Sequence, residues 1–219
     1  MIDFGIVEGI IYDFDGTIIY TESLHEEGWK YAGSIFDVEI TPQMLIDQRG
    51  RSGKDAARLM LPNERHGESD DFRDAKASYV MEHLGDVAVH QGFIETYHVF
   101  NERGLVPWVC TSASMDFIEG VMRGVPDLRV LEGNIICKGM YERSKPYPDP
   151  LLVTFQKMSI LPQRAVYVGD AHSDYVCAEN AEAEFVYFCP ANSVRDARIP
   201  IDVPHISDHK QLLDLLEEE

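Results

Sequence analysis

An α/β fold with a parallel sheet is what this sequence predicts, and three observations predict it. Short apolar runs of strand type recur at 9–14 (GIIYDF), 105–110 (LVPWVC), 164–169 (RAVYVG) and 184–189 (EFVYFC). Segments with helical spacing lie between them, at 91–103, 114–123, 150–160 and 173–183, and such alternation builds a sheet of parallel strands joined by crossover helices. Polar residues also gather immediately after the strand-like runs, the place where ligands bind in an open parallel sheet.

The first run buries Ile10, Ile11 and Phe14 and ends in two aspartates, Asp13 and Asp15, before a turn at Gly16. Like carboxylates repel, so the strand itself gains nothing from the pair. The stretch 21–87 differs from the rest: it has almost no strand-like run but helical ones at 23–36, 41–49, 54–61 and 70–85. It reads as a small helical domain inserted between the first and second strands, leaving 1–20 and 88–219 as the α/β core. Helix punctuation agrees. Gly104 closes ETYHVFNERG as a helix stop, and Asp149 before Pro150 predicts an N-cap followed by proline at the first helical position. The closing LLDLLEEE reads as a solvated helix end, although its three glutamates oppose the helix dipole.

Composition narrows the function. The 219 residues carry 19 basic and 38 acidic side chains, a formal charge of −19, which repels polyanions and argues against nucleic acid or an anionic membrane as partner. An anionic ligand must therefore be captured by local positive charge. Cys110, Cys137, Cys177 and Cys189 are scattered without a C-x-x-C pair, a pattern that fits reduced thiols better than a disulfide frame or a zinc site. No basic leader and no run of about 18 apolar residues is present, so the expectation is a soluble cytoplasmic protein; the pattern sets no oligomeric state.

Four strand-end positions carry chemistry. Asp13, Asp15, Gly16 and Thr17 follow the first strand, and Thr111, Ser112 and Ser114 follow the second. Lys145 lies in RSKPYPDP ahead of a helix, and Asp170 and Asp174 lie in VGDAHSD after the strand AVYVG. Each has a plain structural reading: an Asp-Gly turn, helix N-caps at TSAS and GDAHSD, a solvated lysine. Together and in this order they supply carboxylates for a hard cation, a nucleophile, hydroxyl donors and one fixed positive charge, the parts needed for phosphoryl transfer. Magnesium between the aspartates would explain why they stand together.

In these segments the chain resembles the haloacid dehalogenase superfamily: DFDGT, VCTSAS, SKPYPDP and VGDAHSD are similar to its four motifs, in order. The similarity extends into DGTIIYTESLH, which resembles the branch of sugar phosphatases, phosphoglycolate phosphatases and β-phosphoglucomutases. The resemblance implies a Rossmann-like core with a helical cap at 21–87. It further implies that Asp13 is the nucleophile, that Asp15 protonates the leaving oxygen and then activates water, and that Lys145 neutralises charge. Magnesium would be held by Asp13, the Asp15 carbonyl and Asp170, with Asp174 in support. Thr111 or Ser112 is the phosphate-binding hydroxyl, and the spacing to Phe117 favours Thr111. Tyr20 departs from the branch, which commonly has aspartate there. His172, inside the fourth motif, reads as a helix-start residue. An acid at Asp15 argues against dehalogenation, which needs no proton for its leaving group.

Within the insert, Arg49, Arg51 and Lys54 surround Gly50 and Gly53. A solvated basic loop is the plain reading, but in so acidic a chain Arg49 and Lys54 are candidates for the substrate's distal part or a second phosphate, as is His25 on the first insert helix. The expected function is a magnesium-dependent phosphatase of a small phosphorylated metabolite, a sugar or polyol phosphate or a phosphoglycolate-like compound. A phosphomutase is the alternative enzyme. A non-catalytic metal- and phosphate-binding protein is the alternative of another class, against which Asp15 argues, since binding alone needs no acid there.

Overall fold

The computed structural model describes residues 6–48, 53–191 and 193–217. The chain divides into two compact units, Met1–Tyr20 with Ala88–Glu219, and Thr21–Val87. The strands are β1 (Gly9–Tyr12), β2 (Ile19–Tyr20), β3 (Ala88–Val89), β4 (Trp108–Cys110), β5 (Ile135–Ile136), β6 (Ala165–Gly169), β7 (Glu184–Phe188) and β8 (His205–Ile206). The helices are α1 (Glu22–Phe36), α2 (Pro42–Asp47), α3 (Gly53–Met60) and α4 (Ser69–Glu82) in the second unit. The first unit holds α5 (Phe93–Glu102), α6 (Met115–Gly124), α7 (Asp149–Met158), α8 (His172–Asn180) and α9 (Gln211–Glu217).

Six strands form one sheet in the order β5-β4-β1-β6-β7-β8, every neighbouring pair parallel. The predicted α/β class is what the chain adopts. β1 and β6 pair from Gly9↔Ala165 to Tyr12↔Val168 and are buried throughout. Burial on both faces explains why they are continuous apolar runs without alternation. Ile11, Cys110, Leu151, Phe155, Tyr167, Ala178 and Phe185 share one core cluster. Successive strand residues point to opposite faces, and next to Ile11 the Tyr12 ring meets Phe93 edge-on at 5.3 Å and His209 at 5.5 Å. β2 and β3 pair antiparallel, Ile19 with Val89 and Tyr20 with Ala88, where the chain leaves the first unit and returns to it.

Local details depart from the sequence reading for identifiable reasons. The run 105–110 yields strand only from Trp108, because Pro107 has no N–H for a central ladder. β2, β3, β5 and β8 have two residues each, too short to register a period of two. Asp149 does not cap α7: it is the helix's first residue, and its carboxylate accepts from the Arg143 backbone N–H (3.2 Å), Nε (3.0 Å) and Nη2 (2.8 Å). Gly104 does stop α5, with φ +81° and the Leu105 N–H on the Phe100 carbonyl at 2.9 Å. The last helix is docked through the buried Leu212 rather than solvated all round.

The second unit has its own core, in which Trp29, Ala32, Leu45, Ala57, Met60 and Phe72 meet. Trp29 stacks on Phe72 at 5.7 Å and Phe36 meets the same ring edge-on at 5.3 Å. Thr41 caps α2 by accepting the Met44 N–H at 3.3 Å, with Pro42 next, and α1 ends where Asp37 turns left-handed at φ +53°. Cys110, Cys137 and Cys177 are buried and Cys189 half-buried, all four as free thiols. No described helix is long and apolar enough to cross a membrane.

Two consequences are measurable. Phe72→Ala removes the ring on which the second unit is assembled and should destabilise it by about 3–5 kcal/mol in denaturant unfolding; a loss below about 1 kcal/mol would show that the ring is not central. His209 is wholly buried, and burial pushes its imidazole from 6.5 down to about 4. The unfolded chain then binds the proton more readily than the folded one between these two values, so this contribution is complete above 6.5 and is lost as pH falls towards 4. Relative to His209→Gln, the wild type should lose about 2 kcal/mol of stability between pH 7.5 and 5. A pH-independent difference would contradict the assignment.

Candidate active site

At the carboxyl ends of β1, β4 and β6 the first unit concentrates its polar side chains. The β1 ladder runs on to Asp13, whose N–H donates to the Val168 carbonyl at 2.8 Å. The Phe14 carbonyl then accepts from Ile18 and Ile19 at 3.0 and 3.1 Å, closing a tight turn through Asp15, Gly16 and Thr17. Gly16 has φ +85°, and a Cβ there would strike the Asp170 carboxylate. At the end of β6 a Cβ on Gly169 would lie 2.6 Å from that of Asp174. Both glycines let strand ends approach the carboxylates more closely than any side chain would allow.

Lys145 is the centre of the cluster. Its ammonium donates to Asp13 Oδ1 (2.6 Å), Asp174 Oδ1 (2.7 Å) and the Tyr167 hydroxyl (2.6 Å), which uses all three of its hydrogens. The side chain is 4% exposed, so its charge must be answered within the protein. Burial opposes that charge, but Asp13 and Asp174 outweigh it and hold the ammonium well above its usual range. Tyr167 in turn donates to Asp174 Oδ1 at 3.0 Å, with the Cys110 carbonyl at 3.2 Å as a second acceptor. Asp174 Oδ2 takes the Ala171 N–H at 3.0 Å, tying the carboxylate to the start of α8.

One ammonium does not balance the carboxylates around it. Burial pushes Asp13 up to about 7; Asp174 and Asp15 add to the rise and Lys145 opposes it. Asp170 is driven well above the carboxylate range by burial and then by Asp174, Asp13 and Asp15, while its bond from the Thr17 hydroxyl (3.0 Å) works the other way. Oxygens of Asp13, Asp170 and Asp174 lie within 4.8 Å of one another. An all-oxygen donor set with surplus negative charge fits a small hard cation such as magnesium and suits no soft metal.

The structure thus brings Asp13, Asp15, Asp170, Asp174 and Lys145 together. Thr111 is buried beside them; its hydroxyl accepts the Ala113 N–H at 3.1 Å, and its carbonyl accepts from Tyr141 at 3.0 Å. Ser112 is exposed and bonds the Tyr141 side chain. Ser114 caps α6 through the Phe117 N–H at 3.3 Å, and His172 starts α8. Arg49 and Arg51 lie outside the described residues. Lys54 is exposed on α3, 3.5 Å from Asp70. His25 Nδ1 accepts from Lys76 at 2.8 Å, so its ring proton is on Nε2. Tyr167 was missed because it sits inside an apolar strand run, although a phenol in mid-strand was a signal: a buried tyrosine hydroxyl needs a partner.

Comparison with known proteins identifies the family. The profile of the haloacid dehalogenase-like hydrolases matches residues 10–188. N-acetylmuramic acid 6-phosphate phosphatase of Pseudomonas putida is 21% identical over 95% of this chain and 96% of its own. Among solved structures, the family IA, variant 3 HAD hydrolase of Entamoeba histolytica superposes with a TM-score of 0.82 at 18% identity, covering 97% of this chain and 100% of its own. CbbY of Rhodobacter sphaeroides in complex with xylulose-(1,5)bisphosphate does so at 0.74 and 19%, covering 94% and 96%. At such identities the superpositions speak for the fold alone, while the profile spans most of the chain and every strand-end aspartate described above. The chain belongs to the haloacid dehalogenase-like hydrolase family.

Proposed function

We propose that this hydrolase is a magnesium-dependent phosphatase of small phosphorylated metabolites, sugar or polyol phosphates in particular, and that it works through an aspartyl-phosphate on Asp13. The observation that carries the reading is the buried ammonium of Lys145 bonded to both Asp13 and Asp174. It holds one oxygen of Asp13 and leaves the other for attack. Attack by that oxygen on phosphorus breaks the bond to the leaving oxygen, which takes a proton from Asp15. Asp15, now ionised, removes a proton from water; the water oxygen attacks phosphorus, inorganic phosphate leaves and Asp13 is restored.

The Asp13 and Asp170 carboxylates and the Asp15 carbonyl would hold magnesium, with Asp174 behind them. When bound, the ion supplies the positive charge that this carboxylate cluster lacks and polarises the phosphoryl oxygens. Thr111 is the phosphate-binding hydroxyl in this reading: its lone pair is used by Ala113, which leaves its hydrogen to donate. In this reading the second unit serves as the cap, and Arg49, Lys54 and His25 are its candidates for recognising the substrate's distal part. Support for the substrate class comes from the relatives: N-acetylmuramic acid 6-phosphate phosphatase is named for a sugar phosphate, and the CbbY structure holds a sugar bisphosphate. Free buried thiols fit a reducing compartment, here the cytoplasm.

Phosphate release from a panel of sugar, polyol, glycolate and nucleotide monophosphates is the direct test. Turnover should require magnesium, stop with chelator and fall about 10³-fold or more in Asp13→Asn; turnover at the wild-type rate in that variant would overturn the nucleophile assignment. A phosphomutase would instead return the phosphoryl group to a sugar hydroxyl and would need a phosphorylated activator. Lys145→Met should lose both activity and about 3–5 kcal/mol of stability, because Asp13 and Asp174 are left buried without their cation. Unchanged unfolding would mean that the carboxylates do not depend on it.

A further inference from the structure

The turn that carries Asp15 is held from behind by the His209 ring and by the backbone of residue 90. The Gly16 N–H is bonded to the Ile19 carbonyl at 2.9 Å, which orients the peptide that bears the Asp15 carbonyl. Two of the carbonyls that follow are taken from outside the turn. His209 Nε2 lies 2.9 Å from the Thr17 carbonyl, and the His90 backbone N–H donates to the Ile18 carbonyl at 2.8 Å. Phe188 packs with both rings, stacked on His209 at 4.5 Å and edge-on to His90 at 4.8 Å.

His209 is the informative member. A carbonyl only accepts, so Nε2 carries the hydrogen and Nδ1 is bare. Nδ1 is buried with no hydrogen-bond partner among the described residues, and the ring is surrounded by Tyr12, Phe93 and Phe188. Leucine or phenylalanine would fill such a place without stranding a polar atom. What an apolar side chain cannot supply is the bond to Thr17, and Thr17 passes the constraint on through its hydroxyl to Asp170 Oδ1 at 3.0 Å.

We propose that His209 is a positioning residue that, with the backbone of residue 90, clamps residues 17 and 18 and thereby sets the directions of Asp15 and Asp170. This rests on the phosphatase reading for its kinetic consequence. His209 touches neither carboxylate; it acts by removing the freedom of the peptides between them, and a displacement of about 1 Å at reacting groups lowers rates by up to about 100-fold.

Three variants of the full chain separate this role from packing. His209→Leu fills the space without a donor. His209→Gln places an amide N–H near the position of Nε2, whereas His209→Asn places it near Nδ1, out of reach of Thr17. The expected result is a kcat lowered between about 10- and 100-fold in the Leu and Asn variants with KM little changed, and most of that loss restored in the Gln variant. Amide hydrogen exchange over 13–19 should quicken in Leu and Asn and slow again in Gln. Should the Leu variant fail to fold, the Gln and Asn pair carries the comparison, since both bury one amide. Equal kcat and equal exchange in Gln and Asn would overturn the proposal, as would a folded Leu variant with wild-type kcat. If the wild type released no phosphate from any substrate of the panel, the phosphatase reading would fall, and the exchange pattern would still decide whether His209 clamps the turn.

Discussion

One buried ammonium organises the carboxyl edge of this sheet. Carboxylates that follow two different strands, β1 and β6, would separate if left to themselves, because each resists burial and repels the others. Lys145 reverses that locally by bonding Asp13, Asp174 and Tyr167 at once. Its three bonds join the end of β1, the middle of β6 and the start of α8, so the sheet's register and the site's geometry are one constraint. The cluster nevertheless keeps more negative than positive charge, which is visible in the upward displacement of Asp13 and Asp170. A site built this way favours a cation and repels a lone anion.

The backbone around the cluster is as constrained as the side chains. Gly16 and Gly169 sit where a single extra carbon would collide with Asp170 or Asp174, so the approach of the strands to the carboxylates depends on the absence of a side chain. Behind the turn, bonds from residues 90 and 209 hold successive carbonyls. Residues separated by most of the chain therefore converge on two adjacent peptide groups.

The second unit is held differently. Among the described residues its core around Trp29 and Phe72 is built from within 21–87, and its caps at Thr41 and Asp37 are local. A unit with its own core can vary its surface without disturbing the strand ends.

Much of the fold was legible because its signals are local. β1, β6 and β7 are apolar runs long enough to recognise, the helices carry their own periodicity and stops, and Asp13, Asp15, Lys145, Asp170 and Asp174 stand directly beside those elements. What was not legible depends on partners distant in the chain. Tyr167 reads as core until Lys145 arrives 22 residues away, and His209 is one more histidine near a helix until Thr17 meets it across 192 residues. Asp149 reads as a cap until Arg143 claims it, and the two-residue edge strands exist only because a longer neighbour offers them a ladder. The sequence alone determined which residues end the strands and which charges they carry, since these follow from order along the chain. Only the tertiary structure decided which of those groups share a proton, a cation or a hydrogen bond, because such interactions fall off within a few ångströms and distance in space is not written in sequence.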